Sequence, residues 1–307
     1  MVRRSDFISL RDFTPSQILN LINKGLYFKK IKKYPQILRG KILALLFEKP
    51  SLRTRVSLEV AIKRLGAESI FLSSQEVGIG KREEVKDISR TLSLYVDGVI
   101  IRTFSMDVIL KFREFSSIPV INALTDFNHP LQVLADLMTI KEITGRLKGI
   151  NLSYIGDGNN VCHSLLYGAS KVGLNLKIAS PKKFLPQKEV FLEAEKFACT
   201  TGARIEFVDS PKEAVREADF IYTDVWTSMG KERESKIRRK FFEGFQINRD
   251  LLKYNKKKKF FIMHCLPAHR GEEITDEVLE SCNSIVFLQA QNRLYAHMSV
   301  LYFIYKK

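Results

Sequence analysis

The chain has 307 residues, of which 45% are hydrophobic and 27% charged, and 50 Lys and Arg against 34 Asp and Glu give a formal net charge of +16. This composition is typical of a packed globular protein and excludes disordered and fibrous classes. The length predicts two domains. No apolar run approaches the ~20 residues that a membrane-spanning helix needs, and the first residues do not form a secretory signal. We therefore expect a soluble, cytoplasmic protein with no membrane partner.

The predicted elements of the first half are short apolar strands followed by amphipathic helices. In chain order they are a strand at 42–47, a helix at 55–65, strands at 69–72, 98–101 and 119–122, and a helix at 130–144. The second half repeats this alternation with strands at 151–155, 176–179, 220–223, 260–263 and 284–287 and helices at 161–172, from Ser210 and at 291–304.

Strands that alternate with helices predict an α/β fold with parallel sheets flanked by helices on both faces, the doubly wound arrangement. The glycines between residues 145 and 149 divide the two series. We therefore predict two domains, 1–147 and 148–307, and regard the last helix as a candidate to cross back to the first domain.

The positive charge is concentrated in short basic stretches, residues 29–33, 233–240 and 256–259. Such stretches can bind nucleic-acid phosphates. They contain no interleaved aromatic residues and accompany no helix-turn-helix, RNA-binding or zinc-finger motif, so we interpret them as solvated surface and expect no nucleic-acid partner. The four cysteines form no CxxC pair and no zinc-ligand spacing with histidine, which argues against a disulfide framework or a structural metal.

Ligands bind at the carboxyl ends of parallel strands in such folds. Ser51, Arg53 and Thr54 follow the first strand at the start of a helix, where free backbone N–H groups and the helix dipole favour an anion. The two hydroxyls can donate to phosphate oxygens, and Arg53 can add a bidentate contact. The alternative is an N-capped helix start with solvated arginines.

Three further polar residues follow strands of the first half. Arg102 comes directly after the strand at 98–101 and is either a surface arginine or a site residue. His129 and Gln132 are three residues apart at a helix start, so they can face the same point. A histidine in this position can also be a capping or packing residue.

In the second half, Gly156 to Asn160 follows a strand, but Val161 stands where a dinucleotide fingerprint requires glycine, so we reject NAD or NADP binding. The two asparagines either hold a small polar substrate or make a turn. Asp224 can pair with a substrate ammonium, and Ser228 can bind a carboxylate. His264 to Pro267 either ends its strand with a buried thiol or contributes to a site.

The ordered motifs S-x-R-T-R, Arg102, H-P-x-Q, an asparagine pair, D-x-x-x-S-M-G and H-C-L-P resemble those of the transcarbamoylases, and within them the ornithine carbamoyltransferases. The resemblance covers nearly the whole chain. It implies a homotrimer with a carbamoyl-phosphate domain first and an ornithine domain second, active in arginine biosynthesis. It also implies direct attack of the ornithine δ-amine on carbamoyl phosphate, without a metal or organic cofactor.

Residue by residue, the resemblance implies three sets of site residues. The carbamoyl-phosphate set is Ser51, Leu52, Arg53, Thr54, Arg102, His129, Gln132, Cys265, Leu266 and Arg293. The ornithine set is Asn160, Asp224, Ser228 and Met229. The catalytic set is Arg102, His129, Asp224 and Cys265, with backbone donors near Leu266 helping to stabilise the oxyanion.

The chain departs from the family pattern at a few positions. Leu52 replaces a threonine, which matters little if that position contributes its N–H, and Leu131 replaces a cysteine or threonine. Gly78 stands where many relatives place a glutamine or histidine that reaches a neighbouring subunit. That contact is either lost or passes to the Gly78 backbone or to Lys81.

Three other functions are compatible with the same motifs. Putrescine carbamoyltransferase uses an acceptor without an α-carboxylate, and the Ser228–Gly230 loop favours ornithine over it. Aspartate carbamoyltransferase is disfavoured because Asp224 would repel a dicarboxylate. A non-catalytic basic protein that binds nucleic acid or a protein partner would explain the net charge, but it would have no need of the other polar site residues.

Overall fold

The computed structural model describes residues 6–80, 82–230 and 232–306. The chain divides into two compact units, which are residues 1–138 with 292–307 and residues 139–291. Each unit contains a parallel β-sheet flanked by helices, as predicted. In the described part of the chain, no helix combines the length and the apolar character required to cross a bilayer.

The first unit is built on a parallel sheet with strand order β2-β1-β3-β4. Its strands are β1 Ile42–Phe47, β2 Glu68–Ser73, β3 Gly98–Arg102 and β4 Val120–Leu124. Its helices are α1 Pro15–Lys30, α2 Leu52–Arg64, α3 Ser74–Val77, α4 Val85–Tyr95, α5 Met106–Phe115 and α6 Pro130–Thr144, the last of which continues into the second unit. Every residue of β3 and β4 is buried, as expected of parallel strands covered on both faces.

The helices of the first unit differ from the sequence prediction in two ways, because one starts earlier than predicted and four, α1, α3, α4 and α5, were not predicted. Helix α2 begins at Leu52, three residues before the predicted start, because Ser51 caps it by accepting a hydrogen bond from the Thr54 N–H. Helix α1 was not predicted. It begins with a capping box, in which Thr14 and Gln17 each accept a hydrogen bond from the other's backbone N–H, followed by Pro15 at the first helical position.

The second unit has a parallel sheet of strand order β7-β6-β5-β8-β9. Its strands are β5 Asn151–Ile155, β6 Asn175–Ala179, β7 Ile205–Val208, β8 Phe220–Thr223 and β9 Phe261–His264. Its helices are α7 Asn160–Val172, α8 Lys188–Thr201, α9 Pro211–Val215, α10 Ser235–Phe241, α11 Arg249–Leu252 and α12 Asp276–Leu279. An apolar cluster that includes Ile155, Ile221 and Ile262 fills one face of this sheet.

The predicted strand at 284–287 is wrong. Ser284 forms a single bridge to Ile262, and a helix, α13, then runs over Val286–Tyr305. A short apolar run cannot be assigned to strand or helix by periodicity alone. The prediction that the last helix packs on the first domain is confirmed, because residues 292–307 belong to the first unit and the Tyr305 hydroxyl donates to the Asp97 carbonyl at 2.9 Å.

Both strand orders contain a point at which the chain reverses its direction of winding. In the first unit it lies between β1 and β3, where Phe47 pairs with Arg102 at the carboxyl ends. In the second unit it lies between β5 and β8. Crevices outside such points are the usual ligand sites of open α/β sheets, and the predicted residues Ser51, Arg102 and Asp224 lie at or just after the ends of the strands that border them.

Candidate active site

The start of α2 lies at the reversal point of the first unit. Ser51 is the N-cap, and its side chain accepts the Thr54 N–H at 3.2 Å, which leaves the hydroxyl proton available to a ligand. The N–H groups of Leu52 and Arg53 lie in the first turn, where helix geometry provides no intrahelical acceptor. The Leu52 side chain is 74% exposed, so this position offers only its backbone to an anion.

Two arginines from distant parts of the chain meet at Thr54. The Arg293 guanidinium donates to Thr54 Oγ1 at 2.6 Å, and Arg102 Nη1 donates to the same oxygen at 3.5 Å. All three residues are buried. Since the hydroxyl oxygen accepts from both cations, its own proton can be given to an anion. We call Arg53, Thr54, Arg102, His129 and Arg293 the arginine cluster.

His129 lies within the arginine cluster. Burial lowers the pKa of this imidazole well below its usual range, and the charges of Arg293 and Arg102 lower it further. The side chain is therefore neutral at physiological pH and can donate one N–H to a bound oxygen. The positive charges of the arginines, which destabilise an imidazolium, would attract a phosphate dianion.

Gln132 is buried behind His129 on α6 and is oriented by a neighbour one turn further on. Its Nε2 donates to Asp136 Oδ1 at 2.8 Å. Its Oε1 accepts no hydrogen bond from the described residues. The side chain therefore presents an acceptor suited to an amide NH₂ as well as its remaining N–H.

Asp224 is the centre of the second unit's candidate site. It follows β8, and both of its carboxylate oxygens are held. Oδ1 accepts from Cys265 Sγ at 2.9 Å and from the Val225 N–H at 2.8 Å, and Oδ2 accepts from Asn159 Nδ2 at 2.7 Å. The contact with Cys265 follows from the sheet, since Thr223 pairs with His264 in the β8–β9 register. We call Asn159, Asp224 and Cys265 the Asp224 cluster.

Asn160 is the member of the asparagine pair predicted to bind ornithine, and its neighbour Asn159 donates a hydrogen bond to Asp224. Asn159 caps α7 by accepting the N–H groups of Val161 and Cys162. Asn160 is the first residue of that helix and is half-buried. The N-cap preference of asparagine was a usable signal, but it does not reveal which carboxylate the amide reaches.

The structure does not bring Ser228 and Met229 into the Asp224 cluster. Both lie in the segment after β8, where Met229 is 43% exposed and Ser228 makes no hydrogen bond with the described residues. Among the backbone donors near Leu266 that were predicted to stabilise an oxyanion, the Leu266 N–H itself donates to His264 Nδ1 at 2.8 Å.

The solvated-surface interpretation of residues 233–240 is wrong at Arg238, which is 4% exposed. Its Nη1 donates to Asp157 Oδ2 and to the Trp226 carbonyl, both at 2.8 Å, and its Nε donates to Glu234. Asp157 precedes Asn159 and Trp226 follows Asp224. Arg238 therefore ties together the two loops that carry the Asp224 cluster, a role that a basic stretch in the sequence does not reveal.

Gly78 has a left-handed backbone with φ +61°. A Cβ atom there would lie 2.7 Å from Arg82 Cβ, so both conformation and space favour glycine. Lys81, the alternative donor, lies outside the described residues.

Among the residues that the structure describes, two groups of side chains have potential metal-ligand atoms within 4.8 Å of one another, namely Asp224 with His264 and Cys265, and His269 with Glu272 and Glu273. In the first group both ring nitrogens of His264 are engaged, with Leu266 N and with Glu273, and the Cys265 thiol donates to Asp224. These atoms form a hydrogen-bonded network in which each donor already has an acceptor.

Comparison with known proteins matches both halves of the chain. The profile described as the carbamoyl-P binding domain of aspartate/ornithine carbamoyltransferase matches residues 5–142, and the profile of its Asp/Orn binding domain matches residues 148–304. The chain belongs to the aspartate/ornithine carbamoyltransferase family. The arginine cluster thus lies mainly in the segment matched by the first profile, and the Asp224 cluster lies in that matched by the second.

Individual members of the aspartate/ornithine carbamoyltransferase family are similar over almost their full length. Ornithine carbamoyltransferase of Pyrococcus horikoshii is 46% identical over 299 residues, covering 96% of this chain and 94% of that protein. The Bacillus anthracis protein of the same name is 48% identical, covering 98% and 94%. The structure of Pyrococcus furiosus ornithine carbamoyltransferase superimposes with a TM-score of 0.95 at 44% identity, covering 99% of this chain and 97% of that one.

Proposed function

We propose that this protein is an ornithine carbamoyltransferase, which transfers the carbamoyl group of carbamoyl phosphate to the δ-amine of L-ornithine and yields L-citrulline and phosphate. The observation that carries the proposal is the meeting of Arg102 and Arg293 on Thr54 at the N-terminus of α2. That arrangement suits a phosphorylated donor. The names of relatives at 46–49% identity support ornithine as the acceptor.

The donor is bound mainly by residues of the first unit, and the resemblance to the family adds Cys265 and Leu266 of the second. Ser51, Thr54 and the backbone of Leu52 and Arg53 donate to the phosphate, and Arg102 and Arg293 compensate its charge. Neutral His129 donates to the carbamoyl carbonyl oxygen, and Gln132 Oε1 accepts from the carbamoyl NH₂. Because the Leu266 N–H is engaged by His264, Arg102 and His129 supply the stabilisation of the oxyanion.

The acceptor is bound by the second unit. Asp224 orients the δ-amine, Cys265 and Leu266 line its surroundings, and Asn160, Ser228 and Met229 bind the rest of ornithine. The free amine has a pKa of ~10.4, and it must lose a proton before it can attack. Desolvation next to cationic residues favours that loss.

The reaction is a direct displacement. The amine nitrogen attacks the carbonyl carbon and forms a tetrahedral intermediate, and the C–O bond to phosphate then breaks with its electron pair leaving on phosphate. In this scheme the leaving phosphate accepts the proton that the amine nitrogen releases. A good leaving group is already present, so no covalent enzyme intermediate is required.

The proposal includes further points that the resemblance to the family supports. The boundary between the carbamoyl-phosphate domain and the ornithine domain lies at residues 147–148, near the limits of the matched profiles. The protein forms a homotrimer or a multiple of it, acts in arginine biosynthesis and is cytoplasmic.

The test is an acceptor panel. Purified protein is incubated with carbamoyl phosphate and, separately, L-ornithine, putrescine or L-aspartate, and the carbamoylated product and phosphate are measured from neutral to alkaline pH. We expect citrulline and phosphate in equal amounts, with ornithine far ahead of the other acceptors. A faster reaction with putrescine would assign a different acceptor, and DNA binding without any turnover would favour the basic binding protein.

A further inference from the structure

The turn that carries Cys265 and Leu266 lies on a buried pair of side chains that the proposed reaction does not use. His264 and Glu273 are both 0% exposed, and His264 Nε2 lies 3.1 Å from Glu273 Oε1. The same carboxylate oxygen accepts the His269 N–H at 2.6 Å. Glu273 Oε2 has no hydrogen-bond partner among the described residues, so the carboxylate is committed to these two donors.

The neighbours of the imidazole determine which tautomer it adopts. The Leu266 N–H points to Nδ1 at 2.8 Å, so Nδ1 must be an unprotonated acceptor. An imidazole whose Nδ1 is unprotonated carries its proton on Nε2, and Nε2 then donates it to Glu273 Oε1. Since Nδ1 faces a backbone N–H donor and Nε2 faces a carboxylate acceptor, only the tautomer protonated at Nε2 satisfies both contacts.

The imidazole holds a backbone that would otherwise be unfavourable. Leu266 has φ +58°, a left-handed conformation that a branched side chain rarely adopts. The residue before the turn is also fixed, because the His264 N–H donates to Gln289 Oε1 at 3.0 Å. Cys265, between these two anchors, is the residue whose thiol donates to Asp224.

We propose that the His264–Glu273 pair is a positioning device for ornithine carbamoyl transfer, an inference that rests on the proposed function. Glu273 selects the tautomer of His264, and His264 Nδ1 holds the Leu266 N–H. This fixes the turn and keeps Cys265 against Asp224. Neither residue contacts substrate in this scheme, and both act on the ornithine half of the reaction through the turn.

Two substitutions at one position separate the two contacts of the imidazole. In His264→Asn, the amide oxygen can take the place of Nδ1 and accept the Leu266 N–H, but the contact with Glu273 is lost. In His264→Gln, the longer amide can donate to Glu273 in place of Nε2, but the acceptor for Leu266 is lost. The Asn variant leaves the buried Glu273 carboxylate with only the His269 N–H as donor, so it is expected to be at least as destabilised as the Gln variant.

The proposal predicts that activity and stability rank the two variants in opposite orders. Loss of the turn geometry in His264→Gln should reduce kcat/KM for ornithine by about 100-fold, because small misplacements of reacting groups have effects of that size. His264→Asn should lose at least ten times less, despite an equal or lower melting temperature. KM for carbamoyl phosphate should change much less in both, because the residues proposed to bind its phosphate lie in the first unit.

A merely structural histidine would give activity losses that follow the stability losses, and this result would overturn the proposal. If either variant fails to fold, the wild type provides the decisive measurement. In protein labelled with ¹⁵N-histidine, the signal assigned to His264 should show a proton on Nε2 and none on Nδ1. A proton on Nδ1 would overturn the proposal, and this readout does not depend on turnover, so it remains informative if the wild type forms no citrulline.

Discussion

Replacing Arg238 by methionine tests whether this residue stabilises the loops that follow β5 and β8 in the second unit. The side chains of Arg238 and Asp157 are 5% and 9% exposed. Methionine retains much of the apolar stem but removes the guanidinium that pairs with Asp157 and with the Trp226 carbonyl. Breaking a buried ion pair from one side costs about 3–5 kcal/mol, so we expect the free energy of unfolding to fall by about that amount.

The matched control is Arg239→Met, the same substitution at the next residue. Arg239 is 57% exposed and pairs with Glu272 at the surface, a kind of interaction that contributes about 0–1 kcal/mol. Urea unfolding of both variants measures the difference. The double variant Arg238→Met with Asp157→Asn should recover part of the loss, because the carboxylate that lost its partner is gone.

The same variant should affect ornithine and not the donor. Arg238 joins the loops that follow β5 and β8, so its loss should raise KM for ornithine while KM for carbamoyl phosphate stays at the wild-type value. The reasoning is refuted if Arg238→Met is no less stable than Arg239→Met, or if the double variant shows no coupling between Arg238 and Asp157.

Three further predictions concern the two clusters. Arg53→Ala should lower kcat/KM for carbamoyl phosphate by about 100-fold, as expected for about 3 kcal/mol of lost anion stabilisation. The control variant Lys63→Ala, at the exposed far end of α2, should leave kcat/KM unchanged. Equal kinetics in both variants would contradict the role of Arg53. Asp224→Asn should raise KM for ornithine and leave KM for carbamoyl phosphate unchanged, and initial rates with each substrate varied in turn would expose the reverse pattern. Burial holds the pKa of both His129 and His297 well below 6.5, so the unfolded chain binds more protons than the folded chain. The free energy of unfolding should therefore fall as pH drops below about 6.5, by up to about 1.4 kcal/mol per pH unit for each histidine. Urea titrations at pH 7.5 and 5.5 should show a smaller decrease for His297→Gln than for the wild type, and an equal decrease would contradict this assignment.

The sequence was most informative at the strand ends, where the polar residues next to an apolar run and the usual ligand position of parallel sheets indicate the same site. The strands at 42–47 and 98–102 are short apolar runs buried on both faces, and the polar residues directly after them could be assigned to the site because parallel strands end at a common edge. The family resemblance then extended these local inferences to substrates. The start of α1 was also readable, since Thr14 and Gln17 form a capping box, yet it was not used.

The remaining features depend on contacts between residues far apart in sequence. Nothing local distinguishes Asn159 from Asn160, because the direction of each amide is set by where α7 begins. In the sequence Arg238 cannot be distinguished from its basic neighbours. Its burial depends on pairing with Asp157, which lies 81 residues away. The apolar run at 284–287 was ambiguous for the same reason, since packing decides whether such a run becomes strand or helix.

The anchoring of α13 has a consequence for the order in which the protein matures during synthesis. Arg293 supplies a guanidinium to Thr54, 239 positions earlier, and the helix beyond it is attached through Tyr302 against Phe28 and through the Tyr305 hydroxyl. A nascent polypeptide that has released residues 1–138 from the ribosome therefore still lacks Arg293, a residue of the proposed donor site. We expect such a fragment to bind phosphate poorly until translation of residues 292–307 is finished, so that competence for the donor substrate arrives only with those late residues.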